Sequence, residues 1–409
     1  MRPGHMNEGI DLGPHESLQG TLRKITERLA GELAQPTSVA PDWSSIEWRL
    51  ARAVAAIHCI SPLLSDSLRW AGPTEWTAFL AGQKAHVTAR HGRIMALLNQ
   101  IGAGCREAGI ATVGLKGAAL HSMGFYRAGE RPMADVDLLV QPDDTTRTGQ
   151  VLQSLGFSES FANWKHGVFV PEVCDVHSGF GEHAENYLKI ELHTRIAEKL
   201  PLRITDVTDA IYPRTPHPGL NAYPSMAALM THLLIHAAGA MAYCASRIMN
   251  LHDIALVSAR MADSDWDELV RGRPWWALPP LQLTARYYPE AVPQDVLAAL
   301  ARHCPWTLRR LVRHHRVSDV SLSYPWVQAF PGIGWSRSLA EIVDYIGGRI
   351  WPDNESRRVQ HYRAETDFAS ANTRWGRLSH GRRVMRWITS RPLRVDTLNA
   401  VRMALAEAQ

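Results

Sequence analysis

The fold is decided by the stretch GIATVGLKGAALHSMGFYRAGERPMADVDLLV, residues 109–140. A short β-like run and a short helical pattern precede a second β-like run at 136–140. Asp135 and Asp137 lie two positions apart at this second run, so their side chains are predicted to project to the same face of a strand. Two carboxylates on one strand face can bridge hard divalent cations, which prefer oxygen ligands.

The residues around this acidic pair decide how it is interpreted. Acid-x-acid spacing occurs often by chance, and two solvated carboxylates at a sheet edge are the alternative. The neighbours at 136 and 138–140 are all apolar, however, which places the pair inside a run that packs against a core. Unpaired acids buried there would cost several kcal/mol, so a positively charged group is expected to face them.

Lys116 and Gly117 follow the first strand and open the next helix. A glycine at such a turn lets backbone N–H groups approach an anion, and a lysine beside a helix N-terminus suits a phosphate. A simple strand-to-helix turn is the alternative. Arg131, which precedes the acidic pair, is expected either to reach a phosphate or to pair with the carboxylates.

A third acid lies in KIELHTRI, residues 189–196. Glu191 alternates with apolar neighbours, so it is predicted on the polar face of a strand, able to join the acidic pair if the two strands are neighbours. His193 is expected to be structural or a hydrogen-bonding partner of the acid. Three carboxylates and a phosphate-binding turn are the parts required for two-metal phosphoryl or nucleotidyl transfer.

The remaining sequence predicts four regions. Residues 1–41 are polar and punctuated by Gly and Pro apart from one amphipathic run, so a flexible N-terminal arm is expected. Apolar residues at helical spacing predict an N-terminal helical region over 42–108 and a helical C-terminal region over 223–409. Alternating strands and helices over 109–222 favour a compact α/β core. Within this core the predicted strands are 110–113, 136–140, 168–170 and 189–193, and the predicted helices are 118–123 and 145–155.

Composition restricts the class of protein. The chain has 409 residues, of which 45% are hydrophobic, and a net charge of +4, which excludes disordered and fibrous proteins. The five cysteines are odd in number and widely spaced with no CxxC pair, so neither a disulfide framework nor a zinc finger is expected. No signal-peptide pattern and no membrane-spanning run is visible, and a cytoplasmic location is expected.

Taken in order, the motifs resemble a known family. The sequence is similar to the uncharacterised nucleotidyltransferase family of the DNA polymerase β-like superfamily, and the similarity extends over roughly residues 43–270. The motifs that carry it are LKG at 115–117, Tyr126, Arg131, DVDLLV at 135–140, LGF at 155–157, IELH at 190–193, LLIHAA at 233–238, LHDIA at 251–255 and DWDELV at 265–270.

The resemblance implies an α/β (α+β) fold, in which a small mixed-sheet nucleotidyltransferase core is flanked by N-terminal helices and a mostly helical C-terminal region. It also implies Mg²⁺-dependent transfer of a nucleoside monophosphate from an NTP. The site residues that it implies are Asp135, Asp137 and Glu191 as catalytic and metal-binding groups, and Lys116, Gly117 and Arg131 as nucleotide-binding groups. The Lys-Gly pair stands where the superfamily usually has Gly-Ser.

Two groups of histidines invite a second metal site. Cys174, His177 and His183 cluster in one segment, but their spacing fits no zinc signature, and a surface or acceptor-binding loop is favoured. His232 and His236 are four positions apart on a predicted helix that lacks the Glu of HExxH. A packed or hydrogen-bonded pair is therefore expected.

A basic stretch lies near the C-terminus. Residues 368–395 contain seven arginines, two tryptophans and no acid. Arginines interleaved with tryptophans could grip an RNA backbone or another anionic acceptor. A solvated helix end, or packing against acidic neighbours, is the alternative.

These observations predict a Mg²⁺-dependent, ATP- or other NTP-using enzyme that acts on a hydroxyl of an unknown acceptor. A small molecule, a peptide or protein, and tRNA all remain open, and the resemblance favours a biosynthetic pathway. One alternative is a catalytically degenerate nucleotide- or partner-binding protein, motivated by the Lys-Gly departure. Another is an RNA-modifying or toxin-like nucleotidyltransferase, motivated by the basic stretch.

Overall fold

The computed structural model describes residues 15–172, 180–366, 378–390 and 392–406. Within these residues the strands are β1 (Ala111–Gly114), β2 (Asp135–Val140), β3 (Phe157–Ala162), β4 (His166–Pro171), β5 (Lys189–His193), β6 (Ala197–Leu200), β7 (Arg203–Asp206) and β8 (Gly219–Asn221). Six of them form a mixed sheet in the order β3-β4-β5-β2-β1-β8, and β6 pairs with β7 in a separate ribbon. The predicted α/β (α+β) fold is confirmed.

Helices make up most of the remaining chain. In the described residues they are α1 (His15–Ala34), α2 (Ser45–Ile57), α3 (Ser61–Ser67), α4 (Thr74–Glu107), α5 (Gly117–Ser122), α6 (Thr145–Ser154), α7 (Thr208–Ile211), α8 (Met226–Ala242), α9 (Ile248–Ser258), α10 (Asp263–Arg271), α11 (Leu278–Tyr287), α12 (Gln294–Ala301), α13 (Trp306–Val312), α14 (Leu339–Ile350), α15 (Asn354–Thr366), α16 (His380–Thr389) and α17 (Val395–Ala406).

The strand that carries the acidic pair lies inside the sheet. β2 runs antiparallel to β1 on one side and parallel to β5 on the other. On its other side β5 pairs antiparallel with β4, which forms a hairpin with β3. Strand β8 pairs in parallel with the other edge of β1. The carboxylates of β2 and the acid of β5 are therefore on adjacent strands that point the same way.

Helices cover both faces of the sheet, which explains why the residues of β2 other than Asp135 and Asp137 are all apolar. On one face, Val136, Leu138 and Val140 join a core cluster with Ile94 and Ile101 of α4. On the opposite face, Leu139 joins a larger cluster built mainly from helices. A strand buried on both sides reads as a continuous hydrophobic run rather than a strict alternation.

The predicted elements of the core are confirmed, although their ends shift by one or two residues. The sequence did not predict β3, β8 or the β6–β7 ribbon. Strands β6, β7 and β8 have only three or four residues each, and β3 is largely exposed. A strand that is very short or largely exposed has too few apolar residues to show a hydrophobic pattern in the sequence. Such a strand can be identified only from its pairing in the structure.

The N-terminal arm is a correction. Residues 15–34 of the predicted flexible arm form α1, in which Leu22, Ile25 and Leu29 are fully buried. Thr26 also donates a buried 2.7 Å hydrogen bond to Ser323. The amphipathic run is thus an integral part of the core, because α1 packs against α2 and α3 and also against α11 and residues 317–319, far along the chain.

That larger core cluster joins the two helical regions. It contains residues of α1 and α2 together with Val401 and Ala404 of α17, and Arg52 of α2 donates a hydrogen bond to the Ala404 carbonyl.

The predicted domain boundaries at residues 42, 109 and 223 stay predictions. The four cysteines in the described residues are free thiols, and no described helix is long and apolar enough to cross a membrane.

Substitution of Ile25 tests whether α1 belongs to the core. Ile25→Ala is expected to lower the free energy of unfolding by about 2–5 kcal/mol, because it leaves a cavity among fully buried side chains. The measurement is urea denaturation followed by circular dichroism. Arg23→Ala on the exposed face of the same helix, which removes only a surface ion pair to Asp319, should cost less than about 1 kcal/mol. Equal losses in the two variants would contradict a buried α1.

Candidate functional site

The three predicted acids lie on the neighbouring strands β2 and β5. Asp137 lies directly opposite Glu191 across the parallel strand pair, and Asp135 lies opposite Lys189. The two strands are neighbours, which is the condition under which Glu191 was expected to be able to join the acidic pair. Asp137 is only 5% exposed, whereas Asp135 is at the open end of β2.

Two lysines neutralise these carboxylates. The Nζ atom of Lys116 is 3.0 Å from Oδ1 of Asp137. The Nζ atom of Lys189 is 2.8 Å from Oε1 of Glu191 and 3.6 Å from Oδ2 of Asp135. The positive charge that the sequence led us to expect is thus present. It is supplied by two residues, Lys189 on β5 and Lys116 in the turn after β1.

The carboxyl groups differ in proton affinity. Burial opposes ionisation of Asp137, but the Lys116 ammonium and a hydrogen bond from His193 hold the pKa of its carboxyl well below the usual range. Burial and the charges of Asp137 and Glu191 raise the pKa of Asp135 instead. Burial alone would lower the pKa of Lys116, but the surrounding carboxylates raise it above its ordinary value. The Asp137–Lys116 pair is consequently ionised at neutral pH.

The turn between β1 and α5 holds Lys116 in a strained conformation. Its backbone has φ 44° and ψ −111°, a left-handed region that non-glycine residues seldom adopt. The backbone N–H of Lys116 donates to the Tyr223 hydroxyl at 3.2 Å, and this hydroxyl lies 2.7 Å from Nδ1 of His232. This support from the segment before α8 keeps the lysine aimed at Asp137.

Gly117 is required for close packing. A Cβ atom at this position would lie 2.5 Å from Nη1 of Arg131 and 2.9 Å from Cγ of Met133. No side chain larger than hydrogen fits without displacing the arginine. The predicted role of Gly117 in nucleotide binding stays a prediction, as do the site roles of Lys116, Arg131 and the three acids.

Arg131 is held by a buried acid that the sequence reasoning did not assign. Its Nε and Nη2 atoms donate to the two carboxylate oxygens of Asp253 on α9, at 2.9 and 2.8 Å. The Tyr126 hydroxyl donates to the same carboxylate at 2.6 Å. Asp253 interrupts the mostly apolar run LHDIALV, just as the two aspartates interrupt DVDLLV. The same reasoning from the sequence could therefore have identified Asp253 as a buried acid with a positive partner.

His166 is a second residue that the sequence reasoning missed. It stands at the start of β4, opposite His193 on β5, and its Nε2 atom is 3.8 Å from Oε2 of Glu191. Burial lowers the pKa of His166 to about 4, so its imidazole is neutral at pH 7. A lone histidine at a strand end gives no local signal, because its partners are brought to it only by the β4–β5 register.

A cleft of about 490 Å³ opens beside these residues. Its wall includes the cations Lys116, Lys189 and Arg195 and the acid Glu191. This volume is within the usual range for small-molecule sites, and a basic wall attracts polyphosphates.

Part of the cleft wall comes from α15. The Tyr362 ring stacks on Phe161 of β3 with centroids 4.0 Å apart and planes 11° apart. Arg358 donates from Nη2 to the Ala162 carbonyl at 2.9 Å. A helix near the C-terminus therefore closes one side of the cleft against the outer hairpin of the sheet.

Two of the other candidates from the sequence, His232 and Arg394, make structural contacts. His232 is a buried, hydrogen-bonded residue, as expected. Cys174 and His177 lie outside the described residues, as do Arg374, Arg377 and Arg391 of the basic stretch, whereas Arg394 donates a 3.2 Å hydrogen bond to the Tyr243 carbonyl. That contact is packing, which agrees with the alternative interpretation for this one arginine.

The donor set of the three acids suits a hard cation. Their carboxylate oxygens are ligands that Mg²⁺ accepts, and two ammonium groups already balance the negative charge there. The residues present therefore fit a divalent cation, which would replace lysine contacts on the same oxygens.

The Arg131–Asp253 pair gives a stability prediction. Asp253→Asn is expected to lower the free energy of unfolding by about 3–5 kcal/mol, because it leaves the guanidinium buried without its counter-charge. The measurement is chemical denaturation at pH 7. Asp267→Asn, at an exposed position of the adjacent α10, should change stability by about 0.5 kcal/mol or less. If both variants unfold at the parent's midpoint, the buried pair does not support the site.

Comparison with known proteins identifies the family of the chain. No curated protein and no solved structure gives a significant match to the chain. A family model described as "uncharacterised nucleotidyltransferase" matches residues 44–303, which is more than half of the chain and includes β1, β2 and β5. The chain belongs to the uncharacterised nucleotidyltransferase family and is a transferase enzyme whose acceptor is unknown.

Proposed function

We propose that the protein is a Mg²⁺-dependent enzyme that moves a nucleoside monophosphate from an NTP to a hydroxyl of an acceptor. The observation that supports this most directly is the alignment of Asp137 with Glu191 on adjacent parallel strands, with Asp135 on the same face. Lys116 lies against these acids in a basic cleft. We further propose that the protein works in the cytoplasm, where NTPs and Mg²⁺ are available.

In this proposal Asp135, Asp137 and Glu191 hold Mg²⁺. When bound, Mg²⁺ neutralises charge on the phosphates and lowers the pKa of a coordinated hydroxyl. Lys116 lies beside Asp137, where its ammonium contacts the triphosphate of the nucleotide. The strained backbone of Lys116 and the Tyr223 hydroxyl keep that ammonium in place.

The proposed chemistry is a displacement at the α-phosphorus. The acceptor oxygen forms a bond to this phosphorus while the bond from phosphorus to the α,β-bridging oxygen breaks. The hydroxyl proton passes to one of the site carboxylates, and pyrophosphate leaves with the bonding electron pair. Positive groups on the cleft wall, such as Lys189 and Arg195, stabilise the leaving group.

The acceptor is proposed to occupy the part of the cleft between the β3–β4 hairpin and α15. The stacked Phe161 and Tyr362 rings give this end an aromatic wall. A small molecule, an exposed loop of a peptide or protein, and the end of a tRNA all present a hydroxyl that such a cleft can admit.

A transfer assay tests the proposal. With α-labelled ATP or another NTP, Mg²⁺ and cell extract, the parent should label an acceptor. Asp135→Asn with Asp137→Asn should lower labelling by about 100-fold or more, because two proposed ligands of the Mg²⁺ that neutralises the phosphate charge are lost. Asp143→Asn, an exposed acid just after β2, is the matched control and should label as the parent does. Unchanged labelling in the double variant, or none in the parent, would refute the proposal.

One observation favours the degenerate alternative, in which the protein binds a nucleotide without catalysis. The Lys189 ammonium contacts both Glu191 and Asp135, which is where a divalent cation would bind. If this lysine replaces the ion permanently, the parent would bind the nucleotide without Mg²⁺.

Substitution of Lys189 distinguishes the two. Lys189→Met is expected to strengthen Mg²⁺ binding about 2–5-fold over a parent that already binds it, because a competing ion pair with a half-buried lysine at the cleft wall contributes about 1 kcal/mol. The measurement is calorimetric titration of Mg²⁺ in the presence of a non-hydrolysable NTP analogue. The exposed Lys199→Met is the control. Mg²⁺ binding that exists only in Lys189→Met would instead establish the degenerate function.

A further inference from the structure

Two imidazoles face one carboxylate oxygen at the edge of the acidic site. The Oε2 atom of Glu191 is 3.7 Å from Nε2 of His193 and 3.8 Å from Nε2 of His166. One ligand atom from each of the three residues lies within 4.8 Å of the others. Asp135 lies outside this cluster of three residues. Its carboxylate is instead 3.6 Å from the Lys189 ammonium.

The sheet register brings these three side chains together. His166 pairs with His193 across the antiparallel β4–β5 ladder, and Glu191 is two residues before His193 on the same strand face. Their positions are set by regular strand geometry and are independent of any loop.

Hydrogen bonds fix the tautomer of His166. The Oδ1 atom of Asn163 accepts the backbone N–H groups of Lys165 and His166, so its Nδ2 amide is the group that lies 3.1 Å from Nε2 of His166. An amide N–H can only donate, so Nε2 carries a lone pair and the ring proton is on Nδ1. This lone pair accepts the Asn163 amide hydrogen, so a metal bond to Nε2 would replace that hydrogen bond.

The carboxylate oxygen is free to bind a cation. Lys189 bonds to Oε1 of Glu191, and no described residue donates a hydrogen bond to Oε2 within normal distance. Nε2 of His166 and Oε2 of Glu191 thus lie 3.8 Å apart with no hydrogen bond between them. A cation can bind to both atoms when the Asn163 amide gives up its hydrogen bond to the imidazole.

The donor chemistry selects the kind of cation. Two imidazole nitrogens and one carboxylate oxygen suit borderline first-row ions such as Zn²⁺ and Co²⁺ better than Mg²⁺, which prefers oxygen alone. Ligands bonded to one Zn²⁺ at about 2.0–2.2 Å lie roughly 3.3–3.6 Å apart in a tetrahedron. The observed 3.7 and 3.8 Å separations reach that range with a small side-chain rotation.

We propose that His166, Glu191 and His193 bind one divalent first-row transition ion, for which Zn²⁺ is the physiological type. His193 exchanges its 2.9 Å hydrogen bond to Asp137 for the metal bond, with the ring proton on Nδ1 or released. Asp137 keeps its contact with Lys116. All three ligands line the cleft, so the remaining coordination position of the ion faces the space where an acceptor enters.

This site does not depend on the proposed nucleotidyl transfer, although both use Glu191. The substitutions that test them are therefore different. His166 belongs only to the transition-ion site and Asp135 only to the proposed Mg²⁺ site, so loss of one function without the other is measurable.

Cobalt binding is the experiment. Metal-free protein without a polyhistidine tag is titrated with Co²⁺ and followed by visible absorption, with Zn²⁺ competition to obtain the affinity. The parent should bind one ion per chain and show the d–d bands of nitrogen-ligated Co²⁺. His166→Gln should weaken binding at least about 10-fold, since even the loss of a supporting contact to a ligand costs that much.

The controls separate this site from adventitious imidazole binding. Asp135→Asn, and His217→Gln at an exposed histidine outside the cleft, should bind Co²⁺ as the parent does. Circular dichroism verifies that each variant is folded, and His193→Gln gives a second ligand substitution. The proposal is overturned if the parent shows no such bands, or if folded His166→Gln and His193→Gln both bind as tightly as the parent.

Discussion

The buried carboxylate of Asp137 is the constraint on which the surrounding structure depends. A charge in the interior of a sheet is tolerated only with an opposite charge and hydrogen bonds to its oxygens, and here Lys116 and His193 supply them. Lys116 reaches it from an unfavourable backbone conformation. The Tyr223 hydroxyl, just before α8, accepts the Lys116 backbone N–H and is itself hydrogen-bonded to His232 of α8. The helical region after the sheet is therefore coupled to the acidic site by direct hydrogen bonds.

A second buried pair fixes the segment that leads into β2. Arg131 and Asp253 join this segment to α9, and Gly117 leaves the space that the guanidinium occupies. Three of the residues that the family resemblance singles out, in LKG, in LHDIA and at Arg131, thus meet at one place. Their common effect is to hold the turn after β1 against the entry to β2, so that the lysine and the two aspartates keep their relative positions.

Local patterns in the sequence were sufficient for the acids but insufficient for the groups around them. Asp135, Asp137 and Glu191 interrupt apolar strands, and such an interruption is visible in a single sequence. The partners of these acids depend on pairing between distant segments: His166 reaches Glu191 through the β4–β5 register, and Tyr362 reaches Phe161 from far along the chain. The amphipathic run of α1 was recognised, but its packing partners include α11 and residues 317–319, which lie far along the chain and which no local pattern indicates.

The core cluster that contains both α1 and α17 affects how the chain acquires its structure during synthesis. The sheet can pair its strands once residues 111–221 have left the ribosome, whereas α2 obtains α17 as a packing partner only when Val401 and Ala404 emerge. Part of the apolar face of α2 therefore remains available to chaperones until α17 has been made. A chain released after β8 but before α15 would have a paired sheet, an open cleft and an α2 that lacks this partner.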